Sequence, residues 1–351
     1  MIINAPILDL HTWLPETHDQ EIVIITDHKV KQLYALLLQN ALQNRGYNCL
    51  LLSFPAGEKY KNHKTKQMLE TTMLQHPCRR DCLILALGGG VVGDIAGFIA
   101  ATYHRGVAYI QIPTTLLAMV DSSIGGKTGI NTPQGKNLIG AIYQPQRIII
   151  DLQMLQSLPQ KQLINGLIEA VKMFLTHDAT NFHHCHDHLS KILKKDPVIL
   201  NQMITQAIKI KADIVRRDET EQAERALLNF GHTIGHALEK SSNYRLLHGY
   251  AVAYGILVEA TISMQLGLLT KPELLILKNF FKKIGIHGKD LQKYDIHAII
   301  NVMQSDKKIR AGQVRFALLS AIGHAYYENN NYLHPVDDQQ VIQAFKHCIE
   351  D

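Results

Sequence analysis

A short apolar run, Cys82–Leu87 (CLILAL), passes without a break into Gly88-Gly89-Gly90-Val91-Val92-Gly93 and then into a helix-like segment, Val91–Tyr103. A strand this uniformly apolar has to be covered on both faces, which confines it to a sheet interior. A G-x-G-x-x-G turn at its end lets the backbone approach a ligand closely, and the helix behind it offers free N–H groups and the positive end of its dipole. That is the setting in which a dinucleotide pyrophosphate is held. Taken alone, the motif is equally compatible with a tight strand-to-helix turn.

The rest of the first half repeats the theme. Ile22–Thr26, Cys49–Phe54, Val107–Ile112 and Arg147–Asp151 are short aliphatic or β-branched runs, with helix-like patterns between them, as around Val30–Asn44. Such alternation reads as a parallel α/β sheet. After about Pro159 strand-like runs become rare, and Gln160–Thr176, Pro197–Arg217 and Ala251–Leu268 fit helical periodicity. At 351 residues the chain exceeds the ~250–300 residues at which one core stops growing. We therefore expect an α/β domain over residues 1–160 and a mostly α-helical domain over 161–351. No Ser/Gly linker marks the boundary, so the two are expected to pack around a shared cleft.

Charge and cysteine usage narrow the function classes. The net charge of +5 comes from 36 Lys+Arg against 31 Asp+Glu, dispersed along the chain, which suits a cleft for a small anion and argues against a nucleic-acid partner. The N-terminus lacks the basic residues of a secretory signal, and no apolar run reaches the ~20 residues that span a bilayer. Five scattered cysteines with no paired C-x-x-C hooks point to a reducing cytoplasm.

Three polar constellations carry candidate chemistry. The glycine loop lacks the acidic residue expected ~20 residues on in the standard dinucleotide fingerprint; Asp94 directly follows its last glycine instead. The loop Pro55–Lys61 offers Glu58 and Lys61 for the ribose, unless it is a charged surface turn. Pro113–Gly129 sets Lys127 in a Gly/Ser/Thr stretch that reads as an anion cradle or a long loop, with Lys136-Asn137 close behind. It does not have the P-loop spacing. In Arg225–Glu239, a single helix would place Arg225, Asn229, His232 and His236 on one face. Two histidines one turn apart form a zinc-binding pattern, so spacing points to His232 and His236 as ligands. His248 follows in a Leu-His-Gly turn, and Glu169 and Lys172 share a helix face. Asn181–His188 is richer still in histidine, but its consecutive residues spray around an axis and read as a solvated helix face.

Taken in order, Gly88–Asp94, Pro113-Thr114-Thr115, Asp121–Gly129, Glu169-Ala170-Val171-Lys172, Arg225–Glu239, His248-Gly249 and Asp306-Lys307-Lys308 resemble the 3-dehydroquinate synthase family of sugar-phosphate cyclases over residues 22–325. The resemblance implies an α/β NAD-binding N-terminal domain and a mostly α-helical C-terminal domain that binds metal and substrate. It further implies one Zn2+, with Co2+ as a substitute, and a homodimer. The implied metal ligands are Glu169, His232 and His248. The implied cofactor contacts are Asp27, Glu58, Lys61, Gly89, Gly90, Val91, Asp94, Thr114, Thr115, Lys127 and Lys136. The implied substrate contacts are Asp121, Lys127, Asn137, Lys172, Lys211, Glu221, Arg225, Asn229, His236, Lys307 and Lys308, with Arg105 reaching in from the second subunit.

The implied reaction turns 3-deoxy-D-arabino-heptulosonate 7-phosphate into 3-dehydroquinate and phosphate, in the shikimate route to aromatic amino acids. In the reaction so implied, zinc would acidify a substrate hydroxyl and NAD+ would take the hydride, after which phosphate would be eliminated, the ketone reduced back and the ring closed by aldol addition. Two positions depart from the family pattern: Tyr250 stands where a Glu is general, and Ala223 where a Gly is usual. Three other readings remain open at this point: a sibling cyclase such as a valiolone or inosose synthase, a glycerol-dehydrogenase-like metal alcohol dehydrogenase, and a catalytically dead NAD- or anion-binding regulator.

Overall fold

The computed structural model describes residues 1–14, 20–76, 78–218, 223–304 and 314–350. The chain divides into two compact units, Met1–Leu163 and Ile164–Asp351. Among the described residues, no helix is long and apolar enough to cross a membrane.

The first unit is built on six strands: β1 (Ile2–Ile3), β2 (Ile22–Asp27), β3 (Cys49–Phe54), β4 (Leu83–Gly88), β5 (Ala108–Pro113) and, after a separate hairpin, β8 (Arg147–Ile150). They lie in the order β1-β8-β5-β4-β2-β3, and every pairing is parallel. The apolar runs become interior strands for the reason their composition demands: Val23, Ile25, Ile84 and Phe54 are fully buried. From β2 the chain winds outward to β3, then crosses back so that β4, β5 and β8 continue on the other side. The winding therefore reverses between β2 and β4, and in open α/β sheets ligands bind beyond the carboxyl ends of the strands at such a point. The Gly88–Gly90 turn leaves β4 there, and Asp27 ends the neighbouring β2.

The Gly90–Thr102 helix lies very close to its surroundings. A Cβ on Gly93 would sit 2.8 Å from the Gln111 side chain, and one on Gly97 would sit 2.5 Å from Thr128. The stretch read as a cradle or long loop proves more regular than that. It forms a helical turn, Ala118–Ser122, and then a hairpin in which β6 (Lys127–Thr132) pairs antiparallel with β7 (Gly135–Ile142). Lys127 thus opens a strand, and Lys136 and Asn137 ride on its return partner. N-terminal β1, a two-residue edge strand, is a further element that the apolar runs do not announce.

The second unit is mainly helical, with two small antiparallel ribbons, Arg315–Ala317 with Leu333–Pro335 and Leu319–Ala321 with His324–Ala325. Its longest helix, Pro197–Arg217, starts with proline in the first turn, and the Asp196 side chain accepts from the Val198 and Ile199 N–H groups. The central helix is His248–Gln265, buried continuously from Ala251 to Ser263. A helix apolar on all sides has to be surrounded.

Arg225–Glu239 is not a single helix. A 3-10 turn, Glu224–Asn229, ends at Phe230-Gly231, and a new helix runs from His232 to Ser241. Gly231 makes the break: its φ is +76°, and a Cβ there would lie 2.6 Å from Ile256 and 2.7 Å from the Val252 carbonyl. Gly255 lies equally close to Gly231 from the other side, and Gly235 contacts the Ala251 backbone. The two helices meet backbone to backbone, and His232, His236 and His248 are carried on them.

Gly231→Ala combines a left-handed backbone penalty with overpacking, so a loss of about 2–5 kcal/mol is expected. Urea unfolding of the variant beside the parent protein measures it. An unchanged midpoint would mean that the helices do not pack in this close register.

Candidate functional site

In the second unit, Glu169 projects from the Gln160–His177 helix into full burial, and the Lys172 ammonium one turn on sits 2.5 Å from its Oε2. Its other oxygen, Oε1, is buried with no hydrogen-bond partner. Two imidazole nitrogens face that atom: His248 Nε2 at 3.4 Å and His232 Nε2 at 3.7 Å. The ligand atoms of Glu169, His232 and His248 all lie within 4.8 Å of one another. A buried carboxylate oxygen with no donor, ringed by two imidazole nitrogens, is the donor set a divalent metal would complete.

Local structure puts each group in place. Residue 248, read as part of a turn, is the first residue of its helix. Gly249 ties that start down: its N–H donates to Asn165 Oδ1 at 2.7 Å, and a Cβ there would overlap the Asn165 carbonyl. Asn165 precedes Glu169 by one turn on the same helix, so this bond places His248 against Glu169. Further along the His248 helix, the buried Glu259 carboxylate accepts from Gly231 N–H at 2.7 Å and fixes the segment just before His232. His232 Nδ1 lies 3.2 Å from the Phe230 carbonyl.

Burial favours neutral groups throughout this cluster, yet charge partners reverse the outcome at two of them. Desolvation opposes ionisation of Glu169, but Lys172 and His248 outweigh it and hold the carboxyl well below the usual carboxylate range. Burial likewise opposes a charged His248, but the Glu169 and Glu239 carboxylates beside it push it up to about 10. His232 goes the other way. Burial, reinforced by the Lys172 ammonium and the neighbouring imidazoles, holds it far below the usual range, so it stays neutral.

His236, the second member of the spacing-derived pair, is also brought in. Its ring centroid is 5.2 Å from that of His232 and 6.0 Å from that of His248, and it forms a second group with Glu239 and His248 within 4.8 Å. Lys211 and Arg225 are buried in the same unit, and the Arg225 N–H donates to Asp218 Oδ2 at 2.9 Å. Asn229 ends the 3-10 turn. Glu221, Lys307 and Lys308 lie outside the described residues. Ala223 sits at φ −136°, outside the region that favours glycine. The histidine-rich helix Ala179–Asp187 buries Phe182 and Cys185, and among the described residues its histidines join no metal-competent group.

The first unit gathers the other set. Lys61 is buried; its ammonium bonds the Asp94 carboxylate and lies 2.5 Å from Asn137 Oδ1. Burial raises the Asp94 carboxyl, and Lys61 partly offsets it. Asn131 links the loops: its Nδ2 donates to Glu58 at 2.7 Å, and its Oδ1 accepts from Asn137 N–H at 3.0 Å. Asn137 adopts φ +55° there. The Pro55–Lys61 loop, the glycine-loop helix and the hairpin are thereby joined in one polar network.

Gly89, which caps the helix with no side-chain acceptor, faces Thr115, and Gly90 faces Ser122. Thr114 is buried, and its N–H donates to the Gly88 carbonyl at 2.9 Å. Val91 packs on the core beside the loop. Asp27 Oδ1 accepts from Lys29 and Val30 N–H groups, so one of its oxygens already caps a helix. Arg105 follows His104 in a turn where both have positive φ, and Asp121 lies in the turn Ala118–Ser122.

Asn165, Glu239, Glu259 and Ser122 escape a reading by motif. Glu259 leaves a signal, a lone carboxylate in the otherwise apolar stretch Ala251–Ile262. Glu239 leaves another, three residues beyond His236 and so on the same helix face.

Lys172→Met strips the ammonium from a buried carboxylate, which costs about 3 kcal/mol or more. Glu169 titrates below its unfolded value of ~4.3 when folded, so the pair's contribution is present above that pH and lost as pH falls through the folded value. Denaturant midpoints should show the full deficit at pH 7 and a shrinking one in acid. A deficit that does not vary with pH would exclude this pairing.

Comparison with known proteins gives a consistent pattern. Residues 51–165 match the family described as 3-dehydroquinate synthase N-terminal, and residues 166–309 match 3-dehydroquinate synthase C-terminal. The chain is 43% identical over 313 residues to the 3-dehydroquinate synthase of Nitrosomonas europaea, covering 89% of this chain and 85% of that protein. It is 42% identical over 338 residues to that of Acidithiobacillus ferrooxidans, covering 96% and 92%. Among solved structures it resembles a 2-deoxy-scyllo-inosose synthase complexed with carbaglucose-6-phosphate, NAD+ and Co2+, at 26% identity and a TM-score of 0.89, covering 97% and 94%. It also resembles the 2-epi-5-epi-valiolone synthase of Streptomyces hygroscopicus with NAD+ and Zn2+ bound, at 26% identity and a TM-score of 0.88, covering 100% and 96%. A glycerol dehydrogenase from Schizosaccharomyces pombe shares the fold at 16% identity and a TM-score of 0.70.

Proposed function

The chain belongs to the 3-dehydroquinate synthase family, and from that premise we propose that it converts 3-deoxy-D-arabino-heptulosonate 7-phosphate to 3-dehydroquinate and phosphate, using NAD+ and a divalent metal, zinc by preference. The observation that carries the proposal is the Glu169 Oε1 atom, buried without a donor and faced by His232 and His248. The identities support this substrate over those of the sibling cyclases, at 43% and 42% against 26%.

When bound, the metal supplies Lewis acidity to a substrate hydroxyl and NAD+ accepts and returns a hydride. The protein's own groups do the rest. Glu169, His232 and His248 hold the metal, with Lys172 keeping Glu169 ionised. Arg225, Lys172 and Lys211, with Lys307 and Lys308, supply positive charge for a substrate bearing a carboxylate and a phosphate. Asp121, Asn229, His236 and Glu221 bind its hydroxyls and move protons, and Lys127 and Asn137 hold its phosphate, with Arg105 given by a second copy in a homodimer. The Gly89–Val91 turn takes the pyrophosphate on a helix N-terminus that no side chain caps. Asp27, Glu58, Lys61, Asp94, Thr114, Thr115, Lys127 and Lys136 hold the remainder of the dinucleotide. The five cysteines are all free, in keeping with a cytoplasmic enzyme.

The position of Asn137 modifies one part of this reading. Since its side chain accepts from Lys61, the phosphate contact and the cofactor loop share a residue. Asn137→Ala should therefore weaken NAD+ as well as substrate, and a charge-assisted bond is worth about 1.5–3 kcal/mol, or tenfold and more. Calorimetric titration of NAD+ into the variant measures it, and an unchanged affinity would separate the two roles.

The decisive experiment follows phosphate and NADH together with substrate in large excess over NAD+. Phosphate should rise through many equivalents of NAD+ while NADH stays below one per active site. One NADH per product would make the enzyme a dehydrogenase. Failure to release phosphate from this substrate, with release from another sugar phosphate, would transfer it to a sibling activity.

A further inference from the structure

We infer that Glu239 is the positioning residue that aims His248 at the metal. The inference rests on the proposed metal role of Glu169, His232 and His248 and deepens it. An imidazole that binds metal through one nitrogen must place the N–H of the other, and the partner of that N–H fixes both tautomer and ring angle. His248 directs Nε2 at Glu169 Oε1, 3.4 Å away, and presents Nδ1 to Glu239 Oε2 at 3.1 Å. An ionised carboxylate only accepts, so Glu239 selects the Nδ1–H form and leaves the Nε2 lone pair facing the metal position.

The acceptor is itself held. The Glu239 side chain is 4% exposed against 29% for His248. Its backbone carbonyl accepts from Ser242 Oγ and from Tyr244 N–H, both at 2.8 Å, which fixes the last turn of its helix. The contact of Gly235 with the Ala251 backbone sets the separation of that helix from the one bearing His248. Residue 250, two positions after His248 on its own helix, is a tyrosine and offers no carboxylate. Glu239 reaches His248 from the neighbouring helix, so the task does not fall to position 250.

Glu239 also lies within 4.8 Å of His236 and His248, as a ligand in a second triad would. Two observations favour orientation over ligation. The donor-less buried oxygen belongs to Glu169, while the Glu239 oxygen nearest His248 is already engaged by Nδ1.

The test uses zinc-loaded protein and its Co2+-exchanged form. Glu239→Ala should give up metal to a chromogenic chelator about 10–100-fold more readily and shift the visible Co2+ spectrum. Glu239→Gln, which keeps an acceptor oxygen, should retain the parent spectrum with a smaller loss, and His236→Ala should leave both readouts unchanged. Glu239→Ala within twofold of the parent, with the same spectrum, overturns the inference. Loss of metal in His236→Ala and Glu239→Gln alike makes Glu239 a ligand and also overturns it. Nitrogen NMR of the parent zinc protein decides the matter even if a variant does not fold: His248 should be protonated on Nδ1 and coordinated through Nε2, and the reverse tautomer overturns the inference. A parent protein that binds no stoichiometric zinc, or a His232→Ala variant that keeps it, would instead defeat the metal reading on which this one rests.

Discussion

The second unit is organised around one costly item, an ionised carboxylate taken wholly out of water at Glu169. A charge buried alone would be neutralised by a shift in its own titration. Here Lys172 lies against one oxygen and two imidazoles face the other, so the charge persists. The arrangement requires three separate helices to bring polar groups to one point at fixed separations. Asn165 fastens the His248 helix to the Glu169 helix, and Glu259 fastens the His232 segment to the His248 helix. Neither residue belongs to the Glu169, His232 and His248 cluster, yet each fixes backbone that carries one of its histidines.

The first unit meets a different constraint, that of close approach between main chain and its surroundings. It does so where the winding of the sheet reverses, with glycines against Thr115 and Ser122 and a helix whose first turn no side chain caps. Buried Lys61 then ties the loop after β3 to the glycine-loop helix and to the hairpin. Cofactor loop and hairpin are cross-linked through Asn131 and Asn137, so a change in either is felt by the other.

Much of this was legible in the residues, and the failures have physical causes. Interior strands such as Ile22–Asp27 announce themselves because two-sided burial leaves an unbroken apolar run. The β6–β7 hairpin was hidden because β6 is mostly polar and the apolar residues of β7, Leu138, Ile139 and Ile142, are interrupted by Gly140 and stay exposed, so neither strand has the unbroken apolar run of an interior one, although Asn131-Thr132-Pro133-Gln134-Gly135 is a turn sequence that marks the reversal. The apparent single helix through Arg225–Glu239 failed at Gly231, where tertiary contact with Ile256 and Val252 overrides local periodicity. Spacing within one helix pairs His232 with His236, whereas Glu169 and His248 come to the same cluster from two further helices, and an arrangement assembled from three helices has no period. Glu239 and Asn165 act through other residues, and a linear motif carries no record of that.

The close seam between the two histidine-bearing helices has a consequence for how such a protein can diversify. Gly231, Gly235, Gly249 and Gly255 admit no side chain without moving main chain, so the spacing of the imidazoles is frozen like that of a jig. Drift is confined to positions whose side chains point away from the seam or whose backbone is ordinary. A lineage built on this scaffold can exchange side chains around the cluster while its carboxylate and imidazoles keep their places, so the surroundings can change without the centre being rebuilt.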